Sequence, residues 1–278
     1  MDLVTWGYNP WGQRILTHLS WNLLWASLVV GVMFLVAHAS YVMLSAHRTR
    51  TAAETDALEA ARRDLPARIP RHSLMARLFH WVMAAAMFVL LFTAFLPIVG
   101  VQFAWVTWHW VAGLVLSGSI LYHIIHASFW LDFWSIWIGP KDIPEFKAEM
   151  LRELGHEVSG PKPGKYPLGN RLYHTVIVLA GFAAVGTGLV MMSRIRTPLF
   201  PRNPYLFSDT AWGFTYVLHG AAGVGLVGLT IAHVYFAVRP EKWWITKSMI
   251  LGWITRRQYL EHHDPQRWTV GTKPAGRV

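Results

Sequence analysis

Residues 218–235 read LHGAAGVGLVGLTIAHVY. The stretch has no charge and is rich in glycine and alanine, yet it keeps His219 and His233. In an α-helix, fourteen residues rise about 21 Å and complete four turns less about 40°. The two imidazoles therefore share one face, one toward each end of an apolar segment. A polar side chain in hydrocarbon is costly unless it is paired or liganded. Two on one face at that interval suggest two buried groups, one above the other.

The rest of the chain supplies a membrane for this helix. It has 278 residues, 54% hydrophobic and only 14% charged, whereas soluble domains carry roughly 25% charge. Five apolar runs, near 21–45, 78–99, 108–130, 172–192 and 214–238, suit helices of roughly 20 residues that cross a bilayer. The first run lacks the basic flank of a signal peptide and reads as a retained helix. The 16 tryptophans lie largely near the ends of apolar runs, where amphipathic rings settle at the interface. The expectation is an all-α integral membrane protein of five transmembrane helices. Its parts are an N-terminal flank and extra helix (1–45), a basic loop (46–77), a four-helix bundle (78–238) and a basic tail (239–278).

Lys and Arg are distributed very unevenly. The segments 46–77, 131–171 and 239–278 hold twenty-one of them, and the opposite side of the membrane holds four. The positive-inside rule then places the N-terminus outside and the C-terminus in the cytoplasm. The net charge of +10 is thus a topology signal, and nucleic acid is not an expected partner. No cysteine is present, which excludes disulfides, thiolate-held clusters and covalently attached haem. Any metal or cofactor is left to histidine, methionine or oxygen.

The run at 108–130 repeats the opening pattern, with His109 and, fourteen residues on, His123. Gly113 follows His109 by four residues, as Gly223 follows His219, leaving a flat gap beside each imidazole of the kind a porphyrin needs. RLFHW at 77–81 adds His80 at a cytoplasmic helix end. Sorted by depth, His109 and His219 hold an outer haem. His233 holds an inner one with either His80 or His123, and geometry leaves that choice open. His38 and His47 suit structural roles. His18, His72, His156, His262 and His263 fall in flanks or loops, with solvation expected, and His126 and His174 face the cytoplasmic interface.

Taken together, these motifs resemble the di-haem cytochrome b subunits that anchor respiratory formate dehydrogenases and nickel–iron hydrogenases. The formate dehydrogenase gamma subunit is the closer likeness. The similarity covers roughly 71–268 and rests on RLFHW, on His109 with Gly113, and on KDIP at 141–144. It continues through GKYPLGN at 164–170, His219 with His233, and the tail around Arg256, Arg257, His262 and His263. The resemblance implies two haem b groups, a cytoplasmic-side one on His80 and His233 and a periplasmic-side one on His109 and His219. His123 then becomes the alternative inner ligand. It also implies a quinone site (menaquinone or ubiquinone) formed by Lys165, Gly169 and Asn170, with His174 as a further polar contact. Pro167 and Asn170 depart from the family's usual asparagine and glutamine there.

The function implied is the membrane-anchoring, quinone-reactive subunit of an inner-membrane oxidoreductase complex, with an iron–sulfur subunit and a periplasmic catalytic subunit as partners. It does not act on the primary substrate by itself. A hydrogenase or thiosulfate-type complex is the nearest alternative. A membrane di-iron hydroxylase gathers HxxxH and HxxHH boxes on one face; here only HIIH at 123–126 and HH at 262–263 correspond. A metal-ion transporter would show acidic residues inside the spans, and these spans have none.

Overall fold

The computed structural model describes residues 2–44, 56–57, 59–60, 62–139, 142–153 and 162–270. His47, His156, Lys141 of the KDIP motif and the tail beyond 270 lie outside them. In chain order the elements begin with β1 (Val4–Tyr8), β2 (Arg14–Leu19), α1 (Trp21–Leu44), β3 (Arg68–Pro70), α2 (Leu74–Phe95) and α3 (Trp105–Trp130). There follow α4 (Ile143–Glu153), α5 (Leu168–Met191), α6 (Asp209–Val238), α7 (Trp243–Leu251), β4 (Trp253–Thr255) and α8 (Arg256–His262). The protein is mostly helical, and among the described residues five helices are long and apolar enough to cross a membrane.

Each bundle helix starts about one turn before the apolar run that announces it, and in α2 and α6 a serine caps that first turn. Ser73 Oγ accepts from the Ala76 N–H at 3.1 Å and Ser208 Oγ from the Ala211 N–H at 3.3 Å, satisfying helix-end donors that otherwise lack partners. The GKYPLGN segment is likewise only partly a loop. Pro167 accepts from the Asn170 N–H, and Gly169 and Asn170 lie in the first turn of α5.

The chain divides into two compact units. The first comprises 1–36, 80–122 and 176–233. Here β1 and β2 form an antiparallel hairpin that lies on the start of α6. Asn9 donates to Asp209 at 3.0 Å. A Cβ on Gly213 would come within 2.5 Å of the Leu16 carbonyl oxygen, so only glycine admits this approach. α1 packs on α6 through small residues, as membrane helices do. Ser27 Oγ donates to the Val224 carbonyl at 3.3 Å, and a Cβ on Gly31 would rest 3.5 Å from Ile231. The other faces of α1 expose Val29, Val30, Met33 and Val36, as a lipid-facing helix should.

The second unit comprises 37–79, 123–175 and 234–278. β3 pairs antiparallel with β4, tying the segment before α2 to the segment after α7. Ile69, Ile254, Tyr259 and Leu260 form the core of this cap. Gly252 ends α7 at φ +87°, and a Cβ there would sit 2.9 Å from the His72 carbonyl oxygen. His263 corrects the expectation of a solvated tail histidine. It is fully buried, its Nε2 lies 2.9 Å from Arg71 Nη1 and its Nδ1 lies 2.7 Å from the Gly164 carbonyl. Burial, then the Arg71 charge, push its pKa down to about 3, and burial lowers that of Arg71 to about 10. His262 stacks on Trp244 with ring centres 4.6 Å apart. His38 has the structural role expected of it, with Nδ1 2.9 Å from the Tyr235 hydroxyl.

Candidate functional site

Four of the sequence-assigned histidines meet as two pairs in the first unit. His109 on α3 faces His219 on α6 with ring centres 6.1 Å apart and planes at 71°. His80 on α2 faces His233 on α6 at 6.3 Å and 54°. The ring opposite His233 is thus His80. His123 instead lies in the second unit, 4.4 Å from the Phe79 ring and 6.5 Å from that of His174.

The separations suit a shared metal. An imidazole–metal bond of about 2 Å on each side, with about 1 Å more to each ring centre, would put two imidazoles that share one metal about 6 Å apart. Among the described residues no group of three or more His, Asp or Glu side chains gathers at one point. A metal held there would need its remaining ligands from a bound group such as a porphyrin. Space is also present: a Cβ built on Gly181, itself buried, would meet nothing within 4 Å. The glycines expected to open a gap, Gly113 and Gly223, are bounded more closely, by Leu90 and Phe95 at 3.9 Å.

The His109–His219 pair is held by two side chains that the sequence reading missed. Thr93 Oγ1 lies 2.8 Å from His109 Nδ1 and donates its own proton to the Val89 carbonyl at 2.7 Å. Thr187 Oγ1 stands 2.9 Å from His219 Nδ1 and donates to the Ala183 carbonyl. Each hydroxyl proton is committed to a helix carbonyl, so each threonine accepts from an Nδ1–H. That assigns the proton to Nδ1 and leaves the Nε2 lone pair for a metal. Gly188 completes the setting, since a Cβ there would press within 3.2 Å of His219 Cε1. The detectable signal was spacing: Thr93 follows His80 by thirteen residues and Thr187 follows His174 by thirteen.

The proposed quinone residues belong to the second unit. Lys165 Nζ sits 5.4 Å from the Tyr166 ring centre, and Gly169 and Asn170 are exposed. The segment before them is clamped: the Lys165 carbonyl accepts from Arg71 at 3.2 Å and the Pro163 carbonyl from the Asp264 N–H at 2.9 Å. Behind it, Arg171 is ion-paired with Asp142 and donates to the Trp137 carbonyl at 2.8 Å. The hydrogen bond from Arg171 helps hold the Asp142 carboxyl below its ordinary pKa, against the upward push of burial.

Facing imidazoles on apolar helices, in a chain without cysteine, define a haem-binding membrane protein that moves electrons. The chain belongs to the prokaryotic cytochrome b561 family, whose family model matches residues 71–252, and haem b is the group that family implies. Relatives are about a quarter identical to it over the aligned residues. The formate dehydrogenase cytochrome b556 subunit of Haemophilus influenzae is 26% identical over 219 residues, covering 72% of this chain and 82% of that protein. The nitrate-inducible cytochrome b556(Fdn) subunit of Escherichia coli is 24% identical over 216 residues, covering 72% and 89%. The cytochrome b556(fdo) subunit of the same organism is 24% identical over 215, covering 72% and 91%.

Proposed function

We propose that the chain is the membrane anchor and electron wire of a formate dehydrogenase-like complex in the bacterial inner membrane. It carries haem b on His109–His219 toward the periplasm and haem b on His80–His233 toward the cytoplasm. The observation that carries this reading is the pair of imidazole separations, 6.1 and 6.3 Å, with no group of three or more His, Asp or Glu among the described residues. The haems supply one-electron transfer. The residues do the rest: the paired imidazoles would hold each haem, Thr93 and Thr187 orient the His109 and His219 rings, and apolar helices exclude water.

The relatives are named as subunits of formate dehydrogenases. By that likeness an iron–sulfur subunit and a periplasmic catalytic subunit are the partners. Quinone is the exchangeable substrate on the cytoplasmic side. Lys165 and Asn170 can donate to a quinone carbonyl, and Gly169, exposed beside them, adds no side chain to the approach. The positive-inside bias supports the orientation.

The experiment is a pyridine haemochrome count on the purified chain. His80→Ala, His233→Ala, His109→Ala and His219→Ala are each expected to remove one b haem relative to the unaltered protein. A set of variants that all keep the full count would overturn the assignment. For the quinone, Lys165→Ala and Asn170→Ala should keep their haems and slow transfer to a soluble quinone analogue.

A further inference from the structure

The two halves of the helical region are copies of each other. RLFHWVMAAAMFVLLFT at 77–93 aligns without gaps on RLYHTVIVLAGFAAVGT at 171–187, matching Arg77 with Arg171, His80 with His174 and Thr93 with Thr187. HWVAGLVLSGSILYH at 109–123 aligns in the same way on HGAAGVGLVGLTIAH at 219–233. Under this duplication His109 exchanges with His219, so that pair maps onto itself. The pair His80–His233 maps onto His174–His123.

The mapped pair exists. His123 and His174 face each other with ring centres 6.5 Å apart and planes at 76°, beside 6.3 Å for His80–His233 and 6.1 Å for His109–His219. We propose that His123 and His174 hold a third haem b, so that the chain carries three bis-histidine sites. This rests on the haem reading of the other two pairs. His174, offered to quinone by sequence position alone, becomes a haem ligand.

Two further observations point to a ligand here. The Nδ1 atoms of both His123 and His174 are buried without a hydrogen-bond partner. A buried, unbonded ring nitrogen on each of two facing imidazoles is costly unless a bound group supplies its partner. The Arg171 Nε is also buried without a partner, although its other nitrogens are engaged. A porphyrin carries carboxylates, and an unbonded guanidinium N–H suits one. Among the described residues no group of three or more His, Asp or Glu side chains forms here, so a bare metal ion fits less well than a group that brings its own nitrogen ligands.

The test is the haem-to-protein and iron-to-protein ratio of the full-length chain purified in mild detergent. Three of each are expected. His123→Ala, His174→Ala and the double variant should each give two, because both ligands serve one iron, and a redox titration should lose one of three one-electron steps. Two haems in the unaltered protein, unchanged by either substitution, would overturn the third site and leave the proposed function standing. A loss in one single variant without the other would also overturn the pairing. Fewer than two haems in the unaltered protein would instead remove the proposed function, and this inference with it.

Discussion

The His109–His219 and His80–His233 pairs share a helix and a near-identical separation, yet they are supported differently. Around the first, two threonine hydroxyls fix both Nδ1 protons and Gly188 clears the ring of His219. Around the second, His80 meets the edge of Trp81 at 5.3 Å, and His233 is exposed while His219 is half-buried. Ring orientation at the first pair is set by the two threonine hydrogen bonds, and at the second the His80 ring packs against Trp81. The difference teaches that equal ligand spacing does not mean equal control. A bonded Nδ1–H makes the imidazole a stronger donor and holds its tautomer.

That contrast can be broken or sharpened. The largest effect is expected from Gly188→Leu, whose side chain must displace His219. The haem proposed on His109–His219 should be lost from the optical spectrum while the one proposed on His80–His233 stays. Loss of both would mean the pairs are not independent. Next comes Thr187→Val, which removes the acceptor but keeps the shape. Retention of that one haem should weaken roughly ten- to hundred-fold, with its potential shifted upward as the imidazole becomes a weaker donor. The other potential should be unmoved in a redox titration. Thr93→Val should do the same from the other side, and a shift at both haems would contradict the assignment of threonine to one pair.

A smaller effect is expected in the cap. His263 has a native pKa near 3, against an ordinary 6.5, because burial and Arg71 disfavour its charged form. Its folded form binds fewer protons, so its contribution is full above about pH 6.5 and is lost as pH falls toward 3. Acidification from pH 7 to pH 5 should loosen residues 239–270, seen as faster proteolytic nicking and altered emission from Trp244 and Trp268. His263→Gln should flatten that response, and neither change should reach the His109–His219 spectrum.

Much of this was legible in the chain. Five apolar runs located the five helices, and fourteen-residue intervals located His109, His123, His219 and His233. What the pattern could not convey was the partner of each ring. Position along a helix follows from a rise per residue, but which imidazole faces His233 depends on how helices are rotated against one another. His80 and His123 were therefore equivalent until the family resemblance favoured one, and the structure put His80 opposite His233. The threonines escaped notice because a hydroxyl in an apolar helix ordinarily bonds its own carbonyl four residues back. Thr93 and Thr187 do so, and their second contact is visible only across helices. His263 was misread as solvated because β3 and β4 are three residues each, too short to announce that the tail folds.

By itself the sequence determined the membrane class, the helix count, the absence of thiolate chemistry and the depth of most histidines. These follow from composition and from the helical repeat, which are properties of one segment at a time. The tertiary structure decided which rings pair, which nitrogens carry protons, and that Arg71, Gly164 and His263 belong to one buried cluster. Those facts depend on contacts between residues as many as 192 positions apart, and local periodicity holds no information about them.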